Sequence, residues 1–338
     1  QSLENMYSGN AAYATYYGAD LSTAEGIEAY QDQLLDQLIG TEVKAYQASL
    51  AGVTLTDEEL ETAKTNAQST YDDFYQQFVD AAQDSGATDV NAYANKILTE
   101  TLAKNGKTLT AIKKEFLDSA KKELLVNKHT EGLLAGVTPA EQEIRELYDE
   151  ELSAQQTEFA SSPASFFTYQ TYYSYGYTCL PLTTPEGLFY VRHILVEGEA
   201  AANELLDKIR QGADFEELLA EYNTDPGMQA EENKQGYLVG AGASFVEPFL
   251  NAALALEKEG DVSGAVQSDY GYHIIKRMKD AVPGTIPYDT IKAAFETYAT
   301  DRIKSDYYAK LLDEWMHGDY VARYPENYRY IGKSALEG

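Results

Sequence analysis

Cysteine is almost absent from this chain of 338 residues: Cys179 stands alone. A single thiol excludes an intramolecular disulfide and any cysteine-based metal cluster, and it leaves the redox compartment undecided. Basic residues are also scarce, 26 against 55 acidic ones, for a formal charge of -29. A field of that sign repels phosphodiester backbones and anionic headgroups, so nucleic acid is not expected as a partner. No apolar run is long enough to span a bilayer. Gln1 opens without the charged-then-apolar pattern of a signal peptide, so any targeting segment is expected to have been removed. A phosphate-cradling Gly loop and a Gly-x-Ser-x-Gly elbow are missing, which leaves nucleotide-enzyme and serine-hydrolase readings without support.

What is present describes a soluble, folded protein. The length suits two or three domains, and 44 % hydrophobic residues suffice for more than one core, although mean hydropathy is low at -0.43. The acidic excess keeps copies of the chain apart, which suits a protein that exposes apolar surface to clients, and equally suits a merely solvated surface. The polar start Gln1-Ser2-Leu3-Glu4-Asn5 reads as a tether.

Helical spacing begins at Ala24, with Ile27, Tyr30, Leu34, Leu38 and Tyr46 recurring on one face up to Leu50. Thr56-Asp57-Glu58-Glu59 forms a capping box that opens a second helix, running to about Gln83. Helical stretches near Val90–Lys104 and Thr110–Leu134 follow, separated by Gly106. Thr138-Pro139-Ala140-Glu141 reads as another capping box, opening a helix through Glu158. At the far end, Tyr288–His317 is one long amphipathic helix whose apolar face expects the N-terminal helices as its partner.

Composition changes at Ser161. Between residues 166 and 177, Phe167, Tyr169, Tyr173, Tyr175 and Tyr177 fall on one side of an extended chain, which predicts a strand or hairpin. Such a row could pack against a neighbour or grip peptide or sugar. Pro181 and Pro185 close the segment and mark a domain boundary.

Chemistry concentrates in residues 187–280. His193 lies on the strand-like run Val191–Val196, on the same side as Val191 and Leu195, and His273 is similarly placed on a second strand entered through Gly271. Two of four histidines thus sit on apolar strands of one domain. Zinc is a poor fit, because no third ligand lies at a recognisable spacing, and no cofactor is expected.

From Val191 to Met278 the chain resembles the parvulin family of peptidyl-prolyl cis/trans isomerases. The resemblance rests on ordered blocks: Arg192-His193-Ile194-Leu195-Val196, Gly212–Leu218, Tyr222–Gly227, Gln235–Leu238, Phe245–Phe249 and Tyr270–Lys276. It covers about a quarter of the chain, and the flanking helical plan more loosely resembles extracytoplasmic foldases of the PrsA and SurA type. The resemblance implies an α+β protein, with a parvulin domain (a four-stranded antiparallel sheet wrapped by helices) inserted into an all-helical chaperone body. The expected divisions are 1–160 for the N-terminal helical segment, 161–186 for the Tyr-rich connector, 187–280 for the parvulin domain and 281–338 for the returning C-terminal helix.

Carried over by position, the family's site implies His193, Asp225, Ser268 and His273 as the catalytic set. Leu238, Phe245, Phe249 and Tyr270 then line the proline pocket. Gln235-Gly236-Tyr237-Leu238-Val239-Gly240 departs from the Gly-Gly-Asp-Leu-Gly of many relatives, replacing a flexible residue and gaining an aromatic. The loop after Val196 lacks the basic cluster of phosphate-selecting parvulins, so no phosphoserine preference is expected. The resemblance further implies exported clients bearing X-Pro bonds and an extracytoplasmic location. A membrane anchor in the full-length precursor and a homodimer are compatible with it. Two rival readings stay open: a holdase whose parvulin domain only binds peptide, and a surface adhesion protein using the Tyr-rich segment.

Overall fold

The computed structural model describes residues 20–329 and 331, so the proposed tether at residues 1–5 lies outside the described residues. The chain divides into two compact units, one made of residues 1–138 and 304–338, the other of 139–303.

The first unit is helical. Helices α1 (Ala24–Leu50), α2 (Asp57–Asp84), α3 (Val90–Lys104) and α4 (Leu109–Ala135) follow one another through Gly-containing turns. Thr23, Thr56, Asp89 and Thr108 cap their N-termini by accepting backbone N–H groups two or three residues into the turn. Thr56 completes its box, since Glu59 accepts the Thr56 N–H at 2.7 Å. Small residues Ala63, Ala67 and Ala120 form the contact of α2 with α4, while Leu98, Leu102 and Ile112 pack with Phe74, Phe78 and Phe116. Near the C-terminus Tyr328 and Ile331 cover Ile27, Tyr30 and Leu34, and the buried Gln31 amide donates to the Ile331 carbonyl.

The second unit begins with α5 (Glu141–Ser161). Its start corrects the expected box: Ala140, not Thr138, is the N-cap, and the Glu143 carboxylate accepts the Ala140 N–H at 2.7 Å. Thr138 lies too far ahead of the helix to reach its free N–H groups. The Tyr-rich stretch is likewise not a hairpin but helix α6 (Ser165–Ser174). The reason is packing: Phe166 and Tyr169, one helical turn apart, both set their rings edge-on to Phe159 of α5, at 5.8 and 5.3 Å. Tertiary contact overrides the strand preference of aromatic residues here. The remaining tyrosines, Tyr172, Tyr173, Tyr175 and Tyr177, stay exposed.

After α6 the connector is pinned by one side chain. Gln155 of α5 is fully buried; its amide donates to the Leu180 carbonyl and its oxygen accepts the Leu182 N–H. Strands β1 (Thr183–Thr184) and β2 (Phe189–Val196) lead to helices α7 (Glu199–Arg210) and α8 (Phe215–Tyr222), then β3 (Tyr237–Val239), α9 (Glu247–Leu254), β4 (Val266–Ser268), β5 (Gly271–Asp280) and β6 (Gly284–Thr285). The main sheet is antiparallel in the order β3-β2-β5-β4, and β1 pairs separately with β6. Because side chains alternate along a strand, each face has its own core. Ile194, Val196 and Ile274 meet α7 and α8 on one face; Phe189, Val191, Val239 and Ile275 meet Phe249 and Ala253 of α9 on the other.

Helix α10 (Tyr288–Met316) closes the chain of elements. Within the second unit its Phe295 and Ala299 pack on Cys179, Leu180, Leu182 and the Ile144–Leu152 face of α5. Within the first, Trp315 stacks on His129 of α4 at 5.9 Å. The compact unit around the sheet is therefore wider than residues 187–280, since it also holds α5, α6 and the first half of α10.

Candidate functional site

Register puts the two histidines together. In the β2–β5 ladder His193 faces Ile275 and Leu195 faces His273, so both imidazoles emerge on one face as diagonal neighbours. Their rings stack at 5.1 Å, and Phe249 stands edge-on to both, at 5.1 and 5.3 Å. Both are buried, at 3 % and 4 % exposure.

The polar atoms form one chain of hydrogen bonds across all four strands. Ser268 Oγ of β4 lies 2.7 Å from His273 Nε2 of β5, His273 Nδ1 lies 3.0 Å from His193 Nδ1 of β2, and His193 Nε2 lies 2.7 Å from Asp225 Oδ2. The Tyr237 hydroxyl of β3 donates to the same carboxylate oxygen at 2.8 Å. Asp225 is held in place because its loop is laced to the end of β2: Asn223 accepts the Leu195 N–H, and the Thr224 N–H donates to the Leu195 carbonyl. At the other end Gly271, at φ +128°, turns β4 into β5, and a Cβ there would meet the Val196 carbonyl oxygen at 2.5 Å.

Charge states follow from the surroundings. Burial lowers the His193 pKa despite its hydrogen bond to Asp225, and burial with the neighbouring imidazole lowers that of His273 to about 4, so both are neutral at pH 7. Burial alone would raise the Asp225 pKa, but hydrogen bonds from His193, Tyr237 and the Gly227 N–H outweigh it and hold the carboxyl below its ordinary range. Donors and acceptors are then fully determined. An ionised Asp225 only accepts, so His193 carries its proton on Nε2. Its bare Nδ1 accepts from His273 Nδ1–H, and the bare His273 Nε2 accepts from the Ser268 hydroxyl. Ser268 Oγ in turn accepts the Tyr270 N–H at 3.1 Å.

Of the residues expected at the site, His193, Asp225, Ser268, His273 and Phe249 come together, and Phe245 joins them by packing on Phe249 at 5.1 Å. Tyr270 contributes its backbone N–H, while its side chain is 70 % exposed. Leu238 lies apart from the histidines. It packs with the cluster of Phe159, Phe166, Phe167 and Leu188, which Phe245 also touches, whereas its neighbours Tyr237 and Val239 side with Phe249. Alternation along β3 gives Tyr237, not Leu238, to the histidine face. Its ring packs between His193 at 5.6 Å and Phe245 at 5.5 Å. The aromatic gained in the Gly236 loop was the available signal.

A family model for the PPIC-type PPIase domain, or rotamase, matches residues 194–279. This stretch is similar to a rotamase domain. The match begins one residue after His193 and takes in the rest of the hydrogen-bond chain. Foldase protein PrsA 2 of Listeria innocua is 38 % identical over 123 residues, which are 36 % of this chain and 41 % of that protein. Foldase protein PrsA 1 of Listeria monocytogenes is 43 % identical over 108 residues, 31 % of this chain and 36 % of the relative. Thus the chain spans about two fifths of the length of the curated relatives it matches. The solution structure of the parvulin of Nitrosopumilus maritimus is 34 % identical, covering 28 % of this chain and 98 % of that one, with a TM-score of 0.24. Among the described residues no helix is long and apolar enough to cross a membrane, and no group of three His, Cys, Asp or Glu side chains could hold a metal ion.

Proposed function

We propose that this protein is a foldase that isomerises X-Pro bonds in exported polypeptides, with His193, Asp225, Ser268 and His273 as its polar site and Phe245, Phe249 and Tyr237 as its apolar wall. The reading includes an extracytoplasmic location and a helical first unit that holds unfolded clients. Its support is the hydrogen-bond chain that crosses the sheet with neutral imidazoles at its centre, set against two phenylalanines.

That arrangement suits amide rotation. Resonance imposes a barrier of about 18–20 kcal/mol on the C–N bond, and no bond need be made or broken to cross it. The twisted amide has lost charge separation, so an apolar wall that strips water from it destabilises the planar ground state more than the transition state. Phe245 and Phe249 provide such a wall for a pyrrolidine ring. The relay has no mobile charge at neutral pH, and its donors and acceptors are committed to one another, so it forms a rigid floor that does not reorganise as the substrate carbonyl turns. Asp225 orients His193 and is not needed as a nucleophile.

The test is refolding of a proline-limited protein by the full chain. Acceleration is expected, with His273→Ala and Phe249→Leu each weakening it several-fold. No acceleration, together with undiminished suppression of client aggregation, would overturn the isomerase reading in favour of a holdase.

A further inference from the structure

We infer that Tyr237 is a positioning residue for this site, one whose hydroxyl fixes the direction of the whole hydrogen-bond relay by holding Asp225 as an acceptor. The inference rests on the isomerase reading for its functional meaning, but on geometry for its substance. Asp225 Oδ2 receives two donors, His193 Nε2–H at 2.7 Å and Tyr237 O–H at 2.8 Å, and Oδ1 receives the Gly227 N–H at 3.0 Å. A phenol has one proton to give, and burial together with the neighbouring carboxylate keeps it on Tyr237.

The space for that hydroxyl is built in. A Cβ on Gly227 would sit 2.0 Å from the Tyr237 hydroxyl oxygen, so only glycine lets the phenol reach Asp225. Gly227 is not in the left-handed region, so its role here is space and not backbone freedom. One glycine therefore supplies a donor to Oδ1 and makes room for the donor to Oδ2.

Direction matters because the relay has an alternative. If the network takes up one proton at Asp225, the carboxylic acid donates to His193 Nε2. His193 Nδ1–H then donates to His273 Nδ1, and His273 Nε2–H donates to Ser268 Oγ. Every bond reverses, and the Ser268 hydroxyl proton is released from His273 towards the cleft. Tyr237 opposes that state, since its O–H binds an ionised Oδ2 more strongly than the hydroxyl oxygen of a protonated one. The titratable groups facing Asp225 are His193 on β2, His273 on β5 and Tyr237 on β3; α9 presents the apolar Phe249 to the imidazoles.

The experiment is ¹⁵N NMR of the histidine-labelled full chain, titrated with acid, for the natural protein, Tyr237→Phe and Gly227→Ala. At neutral pH the natural protein should show protonated Nε2 on His193 and protonated Nδ1 on His273. Loss of one charge-assisted hydrogen bond should move the acid inflection of both rings upward by about one pH unit in Tyr237→Phe. Gly227→Ala keeps its N–H but displaces the phenol, so it should shift the inflection in the same direction. The double variant should match Tyr237→Phe and not the sum. An unchanged inflection in Tyr237→Phe, or in Gly227→Ala should Tyr237→Phe not fold, would overturn the inference. Absence of isomerase activity in the natural protein refutes the functional reading instead, and the titration still decides whether Tyr237 sets the direction of the relay.

Discussion

Replacing His273 by Gln should flatten the acid sensitivity of the sheet. His273 is buried and hydrogen-bonded through both nitrogens, and its pKa falls from 6.5 to about 4 on folding, through burial and the proximity of His193. Between those values the unfolded chain binds a proton that the folded chain does not, so stability rises with pH across this window and falls on acidification. At pH 7.5 neither state is protonated and the group costs nothing. By pH 4.5 the unfolded state is nearly fully protonated and the folded state only partly, which removes about 2.5 kcal/mol, or roughly 80-fold in the opening equilibrium.

Hydrogen exchange of the β2 and β5 amides reads that equilibrium locally, without requiring the two units to unfold together. Comparing natural protein and His273→Gln at each pH cancels the intrinsic pH dependence of exchange. The variant will be less protected at pH 7.5, because Ser268 and His193 lose a matched partner. The decisive quantity is the ratio of the two, which should move tens of fold in the variant's favour between pH 7.5 and 4.5. His193, whose pKa burial also lowers, acts in the same direction but remains in both proteins. A ratio that stays constant over this range would show that His273 is not held neutral by the fold, and the derived relay would collapse with it.

Three further outcomes are expected. Phe249→Ala should cost about 3–5 kcal/mol in urea unfolding, since the ring is 2 % exposed and packs on both imidazoles, whereas Phe249→Leu should cost less than about 1.5 kcal/mol. Gly271→Ala should lower the melting temperature by destabilising the β4–β5 turn by roughly 2 kcal/mol, from positive φ and the clash with the Val196 carbonyl together; calorimetry reads it directly. Gln155→Leu keeps the volume of a fully buried side chain but orphans the Leu182 N–H and leaves the Leu180 carbonyl only the Cys179 thiol as donor, so a loss of about 1–3 kcal/mol is expected in chemical denaturation.

The helices were legible in the sequence because their signals are local. Thr56 and Glu59 complete each other's hydrogen bonds within one turn, and Ala24–Leu50 carries its own apolar period. The Tyr-rich segment was not, because its aromatics satisfy a period of two and a period of three at once. What separates strand from helix there is Phe159, a partner supplied by a different helix, and no pattern inside residues 166–177 contains it. Likewise nothing local announces that Gln155 clasps Leu180 and Leu182, since a glutamine in an acidic amphipathic helix reads as solvated surface.

At the site, the resemblance supplied the residues and the sheet supplied their order. His193, Asp225, Ser268 and His273 are scattered along the chain, the two histidines 80 residues apart, yet an antiparallel β3-β2-β5-β4 arrangement converts that scatter into one line across the strands. The placing of Leu238 has the same origin as that of the histidines. Reading a motif by alignment assigns a role to a letter, whereas a strand assigns it by parity, and a slip of one residue moves a side chain through the sheet. Tyr237, the letter that departs from the family pattern, is the one whose hydroxyl reaches Asp225. Departures from a motif on a strand are therefore best tested against register before they are counted as losses, because the neighbour's face is where a compensating contact can form.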